Sequence, residues 1–323
     1  MKHTVIRLLI LAISASFLYL GITATPAIAE KKIGIIIWDD DKNYLDAKEG
    51  IMTQLAKEGF GEANVTYTVE QVKGNKVKAA EIARKFASAN LDMVISIGTS
   101  ATVAVVKEIK NIPVVFAVVY DPVDSRIAED WKSSGNNTTG SSSKVPMIVL
   151  VEQLKRLSPV KQLAVLYTPG EKNSEAQLKD LQAVQTGAGI VIVPVLLTNR
   201  AEVAFVVSDV VRRVDAVFLS GSSIVADEVA TIVESASKAK VITVSHQSDK
   251  VEKGVLLGVT ANNRALGILA GEKAAKVLKG ARPSSIPIEP LSKLDVIVNM
   301  KTARAGGISV PPVFLQNATR VIE

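Results

Sequence analysis

The sequence has no cysteine in 323 residues, which removes disulfides, thiolate metal sites, cysteine nucleophiles and lipid attachment through an N-terminal cysteine. Histidine is nearly as scarce: beyond the first 29 residues His246 is the sole imidazole. A His-rich metal site is therefore excluded, and a Ser-His pair would have to be built around that one ring. There is no Gly-x-Ser-x-Gly elbow and no Gly-x-x-x-x-Gly-Lys phosphate loop. Aromatics reach only 4%, and no basic helix interleaved with them occurs, so no nucleic-acid partner is expected. These absences argue against an enzyme and call for no cofactor.

What is present is aliphatic. Hydrophobic residues make up 48% and charged residues 22%, a globular balance, and short Val/Ile runs alternate with helical stretches in a way that favours layered α/β packing. The length exceeds what one core usually fills, so two domains are expected. Residues 1–29 read as a signal peptide: Lys2 and Arg7 precede an apolar run from Leu8 to Ile22, and Ala27-Ile28-Ala29 supplies the small-x-small cleavage pattern. That run is short for a membrane span, and no later segment could cross a bilayer. Removal of Lys2 and Arg7 lowers the formal charge from +6 to +4, a mild excess whose basic residues are scattered apart from short clusters at Lys31-Lys32 and Arg212-Arg213.

The stretch from Met93 to Val123 organises the chain. Met93 to Ile97 reads as a strand, Gly98-Thr99-Ser100 as a turn and Ala101 to Lys107 as a helix; a second apolar run then ends at Tyr120-Asp121. Around it, strands at Ile33–Trp38 and Val65–Val69 and helices at Leu45–Glu58 and Val77–Ala89 complete a β-α-β-α-β-α-β alternation. Residues 133–143, rich in Ser, Thr, Asn and Gly, read as loop or crossover with nothing to bury. A second unit follows, with strands at Gln162–Tyr167, Ile190–Leu196, Ala216–Leu219, Val241–Val244 and Val255–Val259 and helices at 147–157, 175–186, 201–213 and 224–238. Then come a long helix at Asn263–Leu278 and a strand at Asp295–Asn299. The fold class is α/β: two doubly wound parallel-sheet lobes with a hinge and an interlobe cleft, ligands being held at strand carboxyl ends.

Several residues at those ends suit a small zwitterionic or polar molecule. The turn at Thr99 and Ser100 offers two hydroxyls and the positive end of a helix dipole to an anion, where a helix N-cap would explain only one. Asp121, beside Tyr120, offers the opposite charge to an ammonium, unless it merely forms a turn before Pro122. Trp38 can stack on a flat ligand or be a rim aromatic. Asn173 and Ser174 can reach across from the second unit or cap their helix; Ser222, Ser223 and Asp249 can bind or be solvated turns. His246 is expected at the cleft edge or on the surface, not as a general base. Asp39-Asp40-Asp41 after a buried strand resembles the phosphoryl-transfer loop of haloacid-dehalogenase-type phosphatases, which would hold Mg²⁺, but no second acidic pair follows a later strand.

Taken in order, Ile33-Gly34-Ile35-Ile36, Gly98-Thr99-Ser100-Ala101-Thr102, Val115 to Val123, Tyr167 to Ser174, Gly271 to Gly280 and Val298 to Ala303 resemble the ABC-transporter substrate-binding proteins of the tryptophan/tyrosine-binding type. The resemblance spans nearly the whole chain after the leader. It implies a type I periplasmic-binding-protein fold whose chain crosses between lobes three times. Lobe 1 would comprise residues 30–144 plus about 262–285, and lobe 2 residues 145–261 plus about 286–323. It also implies a protein that binds an amino-acid-like ligand and delivers it to an ABC permease; with the leader cleaved after Ala29, a periplasmic monomer is expected. An extracytoplasmic sensor module is the alternative. The chain departs from the family pattern where Thr139-Gly140-Ser141-Ser142-Ser143, Ser220-Gly221-Ser222-Ser223 and Ala261-Asn262-Asn263 replace more acidic or aromatic stretches.

Overall fold

The computed structural model describes residues 30–323; the signal-peptide reading of residues 1–29 lies outside the described residues. The chain runs β1 (Lys31–Ile37), α1 (Lys42–Lys57), β2 (Val65–Gln71), α2 (Lys76–Ser88), β3 (Met93–Ile97), α3 (Thr99–Glu108), β4 (Val114–Val119) and β5 (Thr138–Ser142). It continues as α4 (Met147–Leu157), β6 (Gln162–Tyr167), α5 (Lys172–Ala188), β7 (Val191–Leu196), α6 (Val203–Val210), β8 (Ala216–Leu219), α7 (Ser223–Asp227), α8 (Val229–Lys238), β9 (Ile242–Ser245), α9 (Ser248–Glu252) and β10 (Leu257–Thr260). The last part is α10 (Asn263–Leu278), β11 (Glu289–Pro290), β12 (Asp295–Asn299), α11 (Met300–Ala305), α12 (Pro312–Gln316) and β13 (Arg320–Ile322).

Two sheets result, ordered β11-β5-β4-β3-β1-β2 and β13-β12-β10-β9-β8-β6-β7. All pairings are parallel except β10 with β12. Helices cover both faces, so the central strands carry unbroken aliphatic runs: Ile33, Ile35, Ile36 and Ile37 of β1 are all fully buried. The chain passes between sheets after β5, between β10 and α10, and after β11. The last pair, β12 and β13, joins the second sheet, while α10 lies against α1, β4 and β5 of the first. Its small residues are what permit this approach. A Cβ at Gly267 would overlap the Ala47 carbonyl oxygen, and one at Gly50 the Arg264 carbonyl oxygen.

Four expectations need correction. Thr138–Ser142 is not loop but a strand with every residue buried. Three of its four hydroxyls find an internal carbonyl: Thr139 Oγ1 donates to Ile286 (2.8 Å), Ser141 Oγ to Leu266 (2.9 Å) and Ser142 Oγ to Tyr120 (2.6 Å), while Thr138 Oγ1 is buried without a partner. The helix expected at 224–238 breaks at Glu228 into α7 and α8, and that expected at 201–213 stops being α-helical at Val210. The third crossing falls after Pro290, not near residue 286, because Glu289–Pro290 adds to the edge of β5.

Candidate ligand-binding cleft

The carboxyl ends of the two sheets face one another, and the strand tips touch. From lobe 1, Trp38 directly follows β1, and Trp38 and Tyr44 pack over Gly98 so closely that a Cβ there would lie 2.8 Å from Trp38 Cβ and 3.1 Å from Tyr44 Cε1. Gly98 also needs its φ of 102°, which a side chain would strain. In β4, pairing steps from Phe116 opposite Gly140 to Val119 opposite Ser142, so β4 carries one extra residue. The bulge sets Val118 at φ 57°, a costly conformation for a β-branched residue, and turns Tyr120 out of its own sheet into the core of lobe 2.

Hydrogen bonds then tie lobe to lobe. Trp38 Nε1 donates to Ser223 Oγ (3.3 Å), Asn43 Nδ2 to Asp249 Oδ1 (2.5 Å), Lys76 Nζ to the Gly170 carbonyl (3.0 Å) and the Tyr120 hydroxyl to Asp180 Oδ2 (2.8 Å). At the first crossing Lys144 Nζ bridges Asp121 of lobe 1 (2.6 Å) and Asp180 of lobe 2 (2.9 Å). At the rim Lys179 pairs with Asp124 (2.7 Å) and Lys253 with Asp41 (2.6 Å). The lobes are closed on each other.

Inside this interface the second lobe is rich in buried polar groups. Glu171 accepts from the Ser223 amide at 2.8 Å, and burial pushes its carboxyl above the usual range. Lys250 is 1% exposed; burial pushes its ammonium down, against the pull of Asp249 and Asp41, and its bond goes to Gln247 Oε1 at 2.5 Å. His246 is pushed down to about 3, first by burial and then by the charge of Lys250. Three buried atoms here lack a hydrogen-bond partner: Asn173 Oδ1, His246 Nδ1 and Asp249 Oδ2, the last with the Lys253 ammonium 3.8 Å away.

The residues singled out from sequence separate accordingly. Trp38, Tyr120, Ser223 and Asp249 take part in the interlobe bonds, while Asn173 is joined to Gly221 of its own lobe. Thr99 is buried, but its Oγ1 accepts the Tyr120 amide (3.1 Å); Ser174 serves the turn before α5, donating to the Thr168 carbonyl (3.0 Å); Ser222 caps α7 and meets Thr168 Oγ1 (2.6 Å). Ser100 lines a separate groove of about 210 Å³ where the lobes meet, with Lys76, Lys107, Gly170 and Lys172. Asp121 does find an ammonium, but it is the chain's own Lys144, and its other oxygen accepts the Val123 and Asp124 amides (both 2.9 Å). Placing His246 at an edge or surface is corrected: the ring is buried, because the bulged Tyr120 covers it. Asp39, Asp40 and Asp41 line a groove of about 470 Å³ with Asp227 and Lys253, and among the described residues no group of three or more His, Asp or Glu side chains is gathered to hold a metal.

Sequence reasoning missed Asn43, Tyr44, Glu171, Gln177 and Lys250. A signal existed for two of them: Glu171 and Gln177 flank Asn173, with Gln177 one helical turn further along the same face of α5.

Residues 32–322 match the family described as ABC transporter substrate binding protein. The chain belongs to that family. This substrate-binding protein is 25% identical over 278 residues to the tyrosine-binding protein of Clostridioides difficile, across 85% of the chain and 81% of the relative. Among solved structures it is similar to an ABC domain in complex with L-Trp from Streptococcus pneumonia (TM-score 0.86, 29% identity, 91% of this chain and 100% of that one). It is also similar to a ligand-free, open substrate-binding protein with adhesive properties from Clostridium difficile (TM-score 0.72, 28% identity, 90% and 99%). At nearly equal identity the liganded relative fits better than the open one, as the interlobe bonds require. The fold of the substrate-binding protein is that of type I periplasmic binding proteins. The family works outside the cytoplasm, binding small molecules for ABC permeases. Among the described residues no helix is long and apolar enough to cross a membrane.

Proposed function

We propose that this protein closes its two lobes around a small amino-acid-like ligand and presents it to the permease of an ABC importer, making and breaking no covalent bond. The observation that carries this reading is the cleft itself: strand tips of both lobes joined by side-chain bonds, with two buried acceptors of lobe 2 that lack a hydrogen bond, Asn173 Oδ1 and Asp249 Oδ2, the latter with only the Lys253 ammonium at 3.8 Å. A buried acceptor without a donor is costly, and an α-ammonium is the donor such atoms suit. The pairing once assigned to Asp121 thereby moves into lobe 2, while Trp38 and Tyr44 supply apolar surface from lobe 1. The relatives named tyrosine-binding and solved with L-Trp make those two amino acids the first ligands to try. The protein acts as a monomer in the periplasm, released by cleavage after Ala29, with no nucleic-acid partner.

Titration calorimetry of the chain from Glu30 onward against L-tryptophan, L-tyrosine and the remaining L-amino acids tests the proposal. Saturable one-to-one binding is the expected result. A folded protein, verified by circular dichroism, that binds none of them refutes it.

A further inference from the structure

The cleft contains a hydrogen-bond donor whose polarity is set by groups that would not touch a ligand, and the inference drawn from it rests on the cleft being the binding site. Gly221 lies in the loop after β8, and both ends of its backbone are engaged by α5. Its N–H donates to Gln177 Oε1 at 2.8 Å, and its carbonyl accepts from Asn173 Nδ2 at 2.5 Å. A Cβ at this position would lie 2.7 Å from Asn173 Nδ2 and 3.2 Å from Gln177 Nε2, so glycine is what allows both amides to dock.

With its oxygen committed to Gly221, the Gln177 amide turns Nε2 toward His246 Nε2, 3.2 Å away. An amide nitrogen only donates, so the imidazole Nε2 accepts and the ring proton resides on Nδ1. Burial and the nearby Lys250 charge keep the ring neutral. Nδ1–H is thus a donor, fully buried and without a partner in the protein. Phe218 lies against one face of the ring (5.9 Å between centroids, 22° between planes), and Tyr120 of lobe 1 meets it edge-on (5.4 Å, 75°). The two rings between them enclose the imidazole.

We propose that His246 contacts the ligand, donating through Nδ1–H to a carboxylate or carbonyl oxygen, and that Gln177 and the Gly221 peptide are positioning residues that fix this polarity. Lobe 2 then reads both ends of an α-amino acid headgroup: Asn173 Oδ1 faces its N–H groups and His246 an oxygen.

Because His246 is the only imidazole from Glu30 onward, ¹⁵N-histidine labelling of that chain, with no histidine tag, reports on this ring alone. The expected spectrum shows a protonated Nδ1 and a bare Nε2, and Gln177→Leu converts it to a mixture of tautomers. Calorimetry with L-tryptophan and L-tyrosine supplies the second readout. His246→Phe, which keeps an aromatic ring but removes the donor, lowers affinity roughly tenfold or more, while His246→Asn, which returns an N–H near the Nδ1 position, restores it to within about threefold. A protonated Nε2 overturns the assigned polarity, and wild-type affinity in His246→Phe overturns the ligand contact. Failure of the wild-type chain to bind either amino acid, or any other L-amino acid, sinks the functional reading and the contact with it, so the two failures are told apart.

Discussion

His246 makes the stability of this protein depend on pH in a direction that can be worked out. The ring is buried and titrates at about 3, against an ordinary 6.5, because burial and then the Lys250 charge oppose its protonation. The folded state therefore binds fewer protons here than the unfolded state. Stability from this group is fully present above the unfolded value near 6.5 and is lost as pH falls from there toward the folded value near 3. Each unit costs about 1.4 kcal/mol, so two units below 6.5 the loss is about 2.7 kcal/mol. Other groups titrate in the same window. Glu171, pushed up by burial, works in the opposite sense, since its proton relieves a burial cost. Lys250 is pushed down from the much higher lysine range, first by burial. Neither side chain is changed in a variant lacking the imidazole, so the pH-dependent part of the difference follows the ring together with its coupling to Lys250. Urea unfolding of the wild type and His246→Phe, followed by circular dichroism between pH 7.5 and 4.5, is the assay. Their stability difference should be flat above about pH 7 and then shift against the wild type by about 1.4 kcal/mol per unit. A difference that stays constant over the whole range would refute a neutral, buried His246.

Two further outcomes follow from the fold. Gly267→Val drives a side chain into the Ala47 backbone between α1 and α10 and should lower stability by about 3 kcal/mol, read as a fall in melting temperature; an unchanged melting temperature would mean the helices are not packed this closely. Lys144→Met removes the ammonium that links Asp121 to Asp180 across the first crossing, so the ligand should dissociate several-fold faster, at a cost of about 1–2 kcal/mol to the closed form; stopped-flow release with an unchanged rate would remove Lys144 from closure.

Strand positions were legible wherever a strand is buried by its own chemistry. The aliphatic runs of β1, β3 and β6 announce themselves because helices cover both faces, and the Gly98 turn stands out because a strand must break there before α3. Thr138–Ser142 was hidden because its burial depends on carbonyls from Tyr120, Leu266 and Ile286, two of them more than 120 residues away, which no local pattern can supply. The site shows the same division at finer grain. The loops that would meet in the cleft could be found from the ends of strands, but which atoms in them remain available could not. Thr99, Asp121, Ser174 and Ser222 all lie on those loops, and each spends its oxygen within the chain, on the Tyr120 amide, on Lys144, on the turn before α5 and on the cap of α7. Asn173 and His246 keep an atom free for the opposite reason. Gly221 and Gln177 satisfy one end of each and leave the other unpaired, and a one-residue bulge at Val118 brings Tyr120 across to bury the result. Alternation and turn chemistry select loops; tertiary hydrogen bonding then selects among the atoms on them, and specificity is decided at that second step.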